Sequence, residues 1–114
     1  MMKIIDSKTS IDEIKEMADK MFGNLIKAVI DIDKEIMAVD GELHSDEEAL
    51  LLERSSKQEN LWGINLYPEI KGEDWIEFDS MINLRPSLKN FSRGIDNPDI
   101  RKKIIKIVNK LIAK

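Results

Sequence analysis

The chain has 114 residues, 22 acidic and 18 Lys or Arg side chains for a net charge of −4, and no cysteine. That length fits a single domain, residues 1–114, able to bury roughly two-thirds of the surface its unfolded form exposes. The lack of cysteine excludes disulfides, thiolate metal sites and cysteine nucleophiles. With no apolar run near the ~20 residues that span a bilayer and no apolar leader behind a basic start, it points to a cytoplasmic protein with no membrane partner.

In chain order, residues 2–5 are a short apolar stretch suited to an edge strand. Ser10 with Glu13 forms a capping box, and Ile11, Ile14, Met17, Ala18, Met21 and Phe22 share one face at helical spacing, so a helix runs from Ser10 until Gly23-Asn24 stops it. From Leu25 the period changes to two: Ile26, Ala28, Ile30 and Ile32 alternate with Lys27, Asp31 and Asp33, the pattern of a half-buried strand. Asp33-Lys34 then reverses the chain into a second strand, Glu35–Val39, without the glycine that usually marks a tight hairpin.

Ser45-Asp46-Glu47-Glu48 is a second capping-box pattern, opening a segment through Leu52. Its cap and acidic first turn favour a helix, while the consecutive leucines 50–52 leave a buried strand open over 46–53. Leu61–Tyr67 and Trp75–Leu84, rich in aromatic and branched residues, read as a hairpin joined by a longer loop around Pro68 and Gly72. Residues 85–97 carry Pro, Ser, Asn and Gly and form a loop. Asn97-Pro98 supplies an N-cap and a first-turn proline for a last helix, whose apolar arc is Ile100, Ile104, Ile107, Val108, Leu111 and Ile112.

The order β-α-β-β-α-β-β-α predicts an α+β fold: an antiparallel sheet of about four to five strands packed by about three helices, mainly on one face. Charge is unevenly placed along it. Asp31–Glu59 holds ten acids against three bases, and Asp99–Lys114 one acid against six bases. The lysine face of the last helix reads as solvated, and a net acidic chain without clustered Lys and Arg elsewhere argues against nucleic acid.

Two constellations carry chemistry. Asp40, Glu42, His44 and Asp46 recur at every second residue; in an extended chain all four would project to one side and offer carboxylates and an imidazole to a divalent metal, with His44 a candidate general acid or base. The alternative is that these acids merely decorate a helix N-terminus. The twelve-residue span Asp31–Glu42 has the length of a calcium loop, but Ile36 stands where that loop requires glycine.

The second constellation lies in Ser55–Asp96, which holds both tryptophans and the only tyrosine. Arg85, Ser87, Asn90, Ser92 and Arg93 form a basic, hydroxyl-rich loop able to hold a phosphate, sulfate or carboxylate, with Asn83, Asn65 and Gln58 extending a polar network toward it. The structural alternative pairs Arg85 with Asp79 or Glu77 and gives Ser and Asn to turns. Walker and dinucleotide glycine patterns and a nucleophile elbow are absent.

The runs Gly41–Glu53, Lys57–Pro68 and Trp75–Pro86 resemble a family of small archaeal and bacterial proteins of unknown function, over a stretch from about residue 10 to the end. The resemblance implies a single-domain intracellular protein and carries no activity, cofactor or catalytic residue with it. From the residues alone, the leading expectation is a non-catalytic binding or regulatory domain recognising an anionic small molecule or a protein partner. The alternatives are a metal-dependent hydrolase of phosphorylated substrates, with Glu42, His44 and Asp46 on the cation and Arg85 and Arg93 on the phosphate, and a homo-oligomeric or toxin-antitoxin-like interaction protein.

Overall fold

The central strands are apolar on both faces, Ile36–Val39 and Leu61–Leu66 nearly throughout and Ile26–Asp31 apart from Lys27 and Asp31, so the sheet is buried from both sides and not half-buried as the alternation from Ile26 suggested. The computed structural model describes residues 1–114. Its elements are β1 (Lys3–Ile5), β2 (Thr9–Ser10), α1 (Ile11–Lys20), β3 (Ile26–Asp31), β4 (Ile36–Val39), α2 (His44–Glu53), β5 (Leu61–Leu66), β6 (Ile76–Glu77), α3 (Pro98–Leu111) and β7 (Ile112–Ala113). Five strands form one antiparallel sheet in the order β1-β4-β3-β5-β6, with β3 at its centre. The α+β class, the antiparallel sheet and the three helices are those expected from the chain pattern. No helix is long and apolar enough to cross a membrane.

Period two divides the sheet's neighbours. Ile26, Ala28 and Ile30 of β3, Met37 and Val39 of β4, and Trp62, Ile64 and Leu66 of β5 point into the larger core, where they meet Ile14 and Ala18 of α1 and Ile104, Ile107, Val108 and Leu111 of α3. Each such large apolar side chain contributes roughly 1.5–3 kcal/mol by leaving water. Val29, Ala38 and Leu61 face the other way and pack on Leu51 of α2. Helices therefore cover both faces, a correction to the expectation of one. Helix α2 meets this second face, Val29, Ala38 and Leu61 flanked by Ile4 and Ile36, through the single fully buried leucine of its three: Leu51 is buried, Leu50 half-buried and Leu52 exposed. That spacing fits a helix and resolves residues 46–53.

Local chemistry sets the element ends. The Ser10 hydroxyl accepts the Glu13 N–H at 3.3 Å to cap α1, and the Asn97 side chain accepts the Asp99 N–H at 2.8 Å ahead of Pro98 to cap α3. The β3–β4 hairpin turns without glycine because Asp31 organises it. Its Oδ1 accepts the N–H groups of Asp33 and Lys34, both at 2.9 Å, its Oδ2 accepts the Ser56 hydroxyl at 2.6 Å, and Glu35 takes the left-handed conformation at φ 56°. Asp31 thus serves a turn and has no part in a calcium loop.

Two expectations fail. The capping box at Ser45 does not form: α2 begins at His44, Leu43 occupies the cap position with no side-chain cap, and the Ser45 side chain lies on the exposed first turn. Of the expected strand Trp75–Leu84 only Ile76–Glu77 pairs with β5; beyond it the chain crosses over β5 and tightens into a turn at Met81–Asn83. Gly63 is the reason, because a Cβ there would meet the Ser80 Cβ at 2.6 Å, so the crossing requires glycine.

Candidate functional site

The polar loop that composition singled out is closed on itself. The fully buried Asn83 uses its amide as a surrogate strand: Oδ1 accepts the Gly63 N–H at 2.8 Å and Nδ2 donates to the Gly63 and Arg93 carbonyls, both at 2.9 Å. Asn90, also buried, donates to the carbonyls of Asn83, Ser92 and Gly94 and accepts the Asp96 N–H at 2.8 Å. Ser92 donates to Asp96 at 2.6 Å. Arg85 stacks on Trp62, 4.4 Å from the ring centroid, and donates to the carbonyls of Gln58 and Leu61 at 2.5 Å each. Burial lowers its pKa from the usual arginine value.

The donors of Asn83, Asn90 and Arg85 are therefore directed at backbone carbonyls, and the exposed Ser92 hydroxyl at the Asp96 carboxylate, rather than held free for an anion. Ser87 lies exposed on the turn Pro86–Leu88, and Gln58 sits in a short turn, Gln58–Asn60, ahead of β5. Neither comes into the loop network by its side chain. Arg93 differs: it pairs with Asp79 at 2.9 Å, with both side chains about half exposed.

The four candidate metal ligands do not converge. Extended chain was the premise, and the chain bends at Asp40, whose φ is 67°, and enters α2 at His44. Glu42 and Asp46 point to solvent, and no group of three or more His, Asp or Glu side chains is placed to hold a metal ion. His44 turns away from those acids onto the sheet, where its Nε2 donates to the Ile64 carbonyl at 2.8 Å. Because a carbonyl only accepts, this bond fixes the Nε2–H tautomer and leaves Nδ1 as an acceptor. Burial is the main cause that lowers the His44 pKa, with Lys27 adding to it, so the ring is neutral at pH 7.

What the fold brings together is a different set. A cleft of about 170 Å³ opens between the first turn of α2 and the crossing at Ser80, lined by Lys27, His44, Ser45, Ser80 and Arg93 with Leu43, Met81 and Ile82. Lys27 comes from β3, directly across the ladder from Asn65 of β5. Asn65 is buried; it donates to Glu77 at 2.9 Å and to the Asp79 carbonyl at 3.3 Å, while its Oδ1 has no partner. Of the residues expected to bind an anion, Arg93 lines this cleft and Asn65 adjoins it; of the metal candidates, His44 lines it.

Lys27 and Ser45 were not expected there, and Ser80 only as an extension, with Asp79, of the polar network toward the loop. Lys27 reads in sequence as the solvent side of a half-buried strand, and Ser45 as a helix cap. Only the glycine at position 63, flanked by large residues in a strand, signals that another segment approaches there.

Beneath the same turn lies Glu47, completely buried. Its Oε2 accepts the Gly41 N–H at 2.9 Å and its Oε1 has no partner. A Cβ on residue 41 would meet the Glu47 Cγ at 2.7 Å, so glycine admits this contact. Burial pushes the carboxyl pKa up to about 9 against the lowering pull of that bond and of Lys27. Glu47 is thus a neutral acid at pH 7, holding α2 to the Asp40–Gly41 bend.

Chemically, the cleft offers two cations, two hydroxyls and the start of α2, which has no side-chain cap, offset by one carboxylate, Asp79, paired with Arg93. With His44 neutral, its net charge is near +1. The model of a family described as a protein of unknown function, DUF5674, matches residues 3–111, and the chain belongs to that family. No curated protein and no solved structure matches the chain.

Proposed function

We propose that this family member is a non-catalytic, cytoplasmic binding domain that takes one anionic group in the cleft between α2 and Ser80. The observation that carries the reading is the convergence of Lys27 and Arg93 on a helix N-terminus whose N-cap residue, Leu43, supplies no side-chain bond. A helix start leaves N–H groups pointing outward with a partial positive charge, and oxygen anions are their usual complement. Ser45 and Ser80 add rotatable hydroxyl donors from opposite walls.

The hydrolase alternative keeps one supporting feature, the shared placement of His44 and Arg93, and lacks a converging ligand set. We therefore prefer binding.

The test is a titration of the protein with inorganic phosphate, sulfate and acetate, followed by amide resonances and thermal midpoint. Saturable shifts centred on His44, Ser45 and Ser80, with a rise in midpoint by mass action, are expected. Lys27→Ala and Arg93→Ala should each weaken them, and Arg85→Lys should not. Shifts that are absent, or unchanged in both alanine variants, refute the reading.

A further inference from the structure

The cleft is too small for more than one head group, yet its surroundings are apolar. Leu43 and Met81, which line it, are 53% and 63% exposed. The loop that carries Arg93 continues this surface. The antiparallel bridge Arg85↔Asn90 sets Leu84 opposite Phe91, with Leu88 at the tip, and these three are 43%, 68% and 37% exposed. Met81 and Leu84 stand at the two ends of one short turn, and Phe91 is two residues from Arg93. Leu43 and Met81 thus line the cationic cleft, and Leu84, Leu88 and Phe91 stand exposed on the segment that leads from it to Arg93; exposed apolar side chains grouped in this way mark interaction surfaces.

We infer that the anion taken by the cleft is an acidic group presented by an extended segment of a protein partner, whose apolar side chains lie on Leu43, Met81, Leu84, Leu88 and Phe91. The inference rests on the anion-binding reading of the cleft. Charge complementarity selects the occupant. Lys27 and Arg93 against Asp79 leave room for a single negative charge, and the exposed Glu42 and Asp46 at the same helix end repel a polyanion such as nucleic acid. The apolar residues lie open on the surface and wall no tunnel, so they fit side chains of a peptide better than an acyl chain, which needs enclosure.

The experiment is to pan a random peptide library against the folded chain and to titrate the selected peptides into wild type, Lys27→Ala, Phe91→Asp and Leu88→Asp by calorimetry. Enrichment of sequences with one Asp, Glu or terminal carboxylate among Leu, Phe or Met is expected, with affinity falling about tenfold or more in Lys27→Ala and in at least one of the two loop variants. The substituted positions in the loop are exposed, so the variants keep the fold, checked by circular dichroism. Selected peptides without an acid, or binding indifferent to both loop variants, overturn the inference. So does failure to enrich any sequence, and so does self-association removed by Phe91→Asp, which gives the surface to a second copy of the chain. Inorganic phosphate titrated in parallel separates the two readings: phosphate shifts without peptide binding leave the anion cleft standing and remove the peptide, and loss of both removes both.

Discussion

Two polar regions flank the segment from Ser80 to Arg93, and they differ in what their donors face. In the 83–96 loop, Asn83, Asn90 and Arg85 direct their donors at carbonyls of the protein's own backbone: Gly63 and Leu61 of β5, and Asn83 of the loop itself. In the α2 cleft, Lys27 has no salt bridge, Arg93 shares a half-exposed one, and the helix start has no side-chain cap. The loop is the richer in composition, and the cleft is the richer in unmet hydrogen-bonding capacity. Recognition follows the second property, because a donor already satisfied by buried backbone can be turned to a ligand only by breaking the fold.

Substitutions can break or sharpen this contrast, and the loop should respond by far the more in stability. Asn90→Ala orphans three carbonyls and an N–H, and a loss of about 3–5 kcal/mol is expected, a fall of roughly 10–20 °C in the thermal midpoint. Asn83→Ala, which strips both backbone groups of Gly63, belongs in the same range. A change under about 1 kcal/mol in either variant would mean that the loop network is not structural.

Glu47→Gln tests the buried acid under the cleft. A carboxyl whose folded pKa is raised to about 9 from 4.5 binds its proton more tightly in the native state, so wild-type stability falls as pH rises from about 5 toward 9 and levels off above. Gln cannot ionise, so denaturant unfolding across that window should lose a slope of up to about 1.4 kcal/mol per pH unit. An unchanged slope would show that Glu47 is ionised in the fold.

Arg85→Lys keeps the charge but loses the planar fork over Trp62 and its two carbonyl bonds, with an expected loss of about 1–2 kcal/mol. Lys27→Ala and Arg93→Ala sit at the other end of the scale: a stability change within about 0.5–1 kcal/mol, since the Arg93–Asp79 pair is solvent-screened, together with loss of phosphate-induced shifts. If these two destabilised the chain as much as Asn90→Ala does, the contrast between the regions would fail.

Much of the fold was legible in the chain. Helices α1 and α3, their Ser10 and Asn97 caps, the β3–β4 hairpin and the edge strand β1 follow from capping chemistry and periodicity over a few residues. The candidate site was not. Asp40, Glu42, His44 and Asp46 share a spacing that matters only in extended chain, and the left-handed turn at Asp40 removes that condition. Ser45 and Glu48 match a capping box, but the helix starts at His44, and Glu47 between them is buried against Gly41. Arg85 and Arg93 look equivalent in sequence, and only the position of Trp62 and the Leu61 carbonyl divides a structural clamp from a half-free cation.

By itself, then, the sequence determined this protein's α+β class, the existence of its central strands and the ends of its outer helices, because each rests on preferences acting between neighbours two to four positions apart. The tertiary structure alone decided which face α2 covers, that Glu47 is buried and neutral, and which polar side chains remain open to a ligand. Those outcomes depend on contacts such as Gly63 with Ser80 and Asn83, or His44 with Ile64, between residues about twenty positions apart, where packing and hydrogen-bond satisfaction override local pattern.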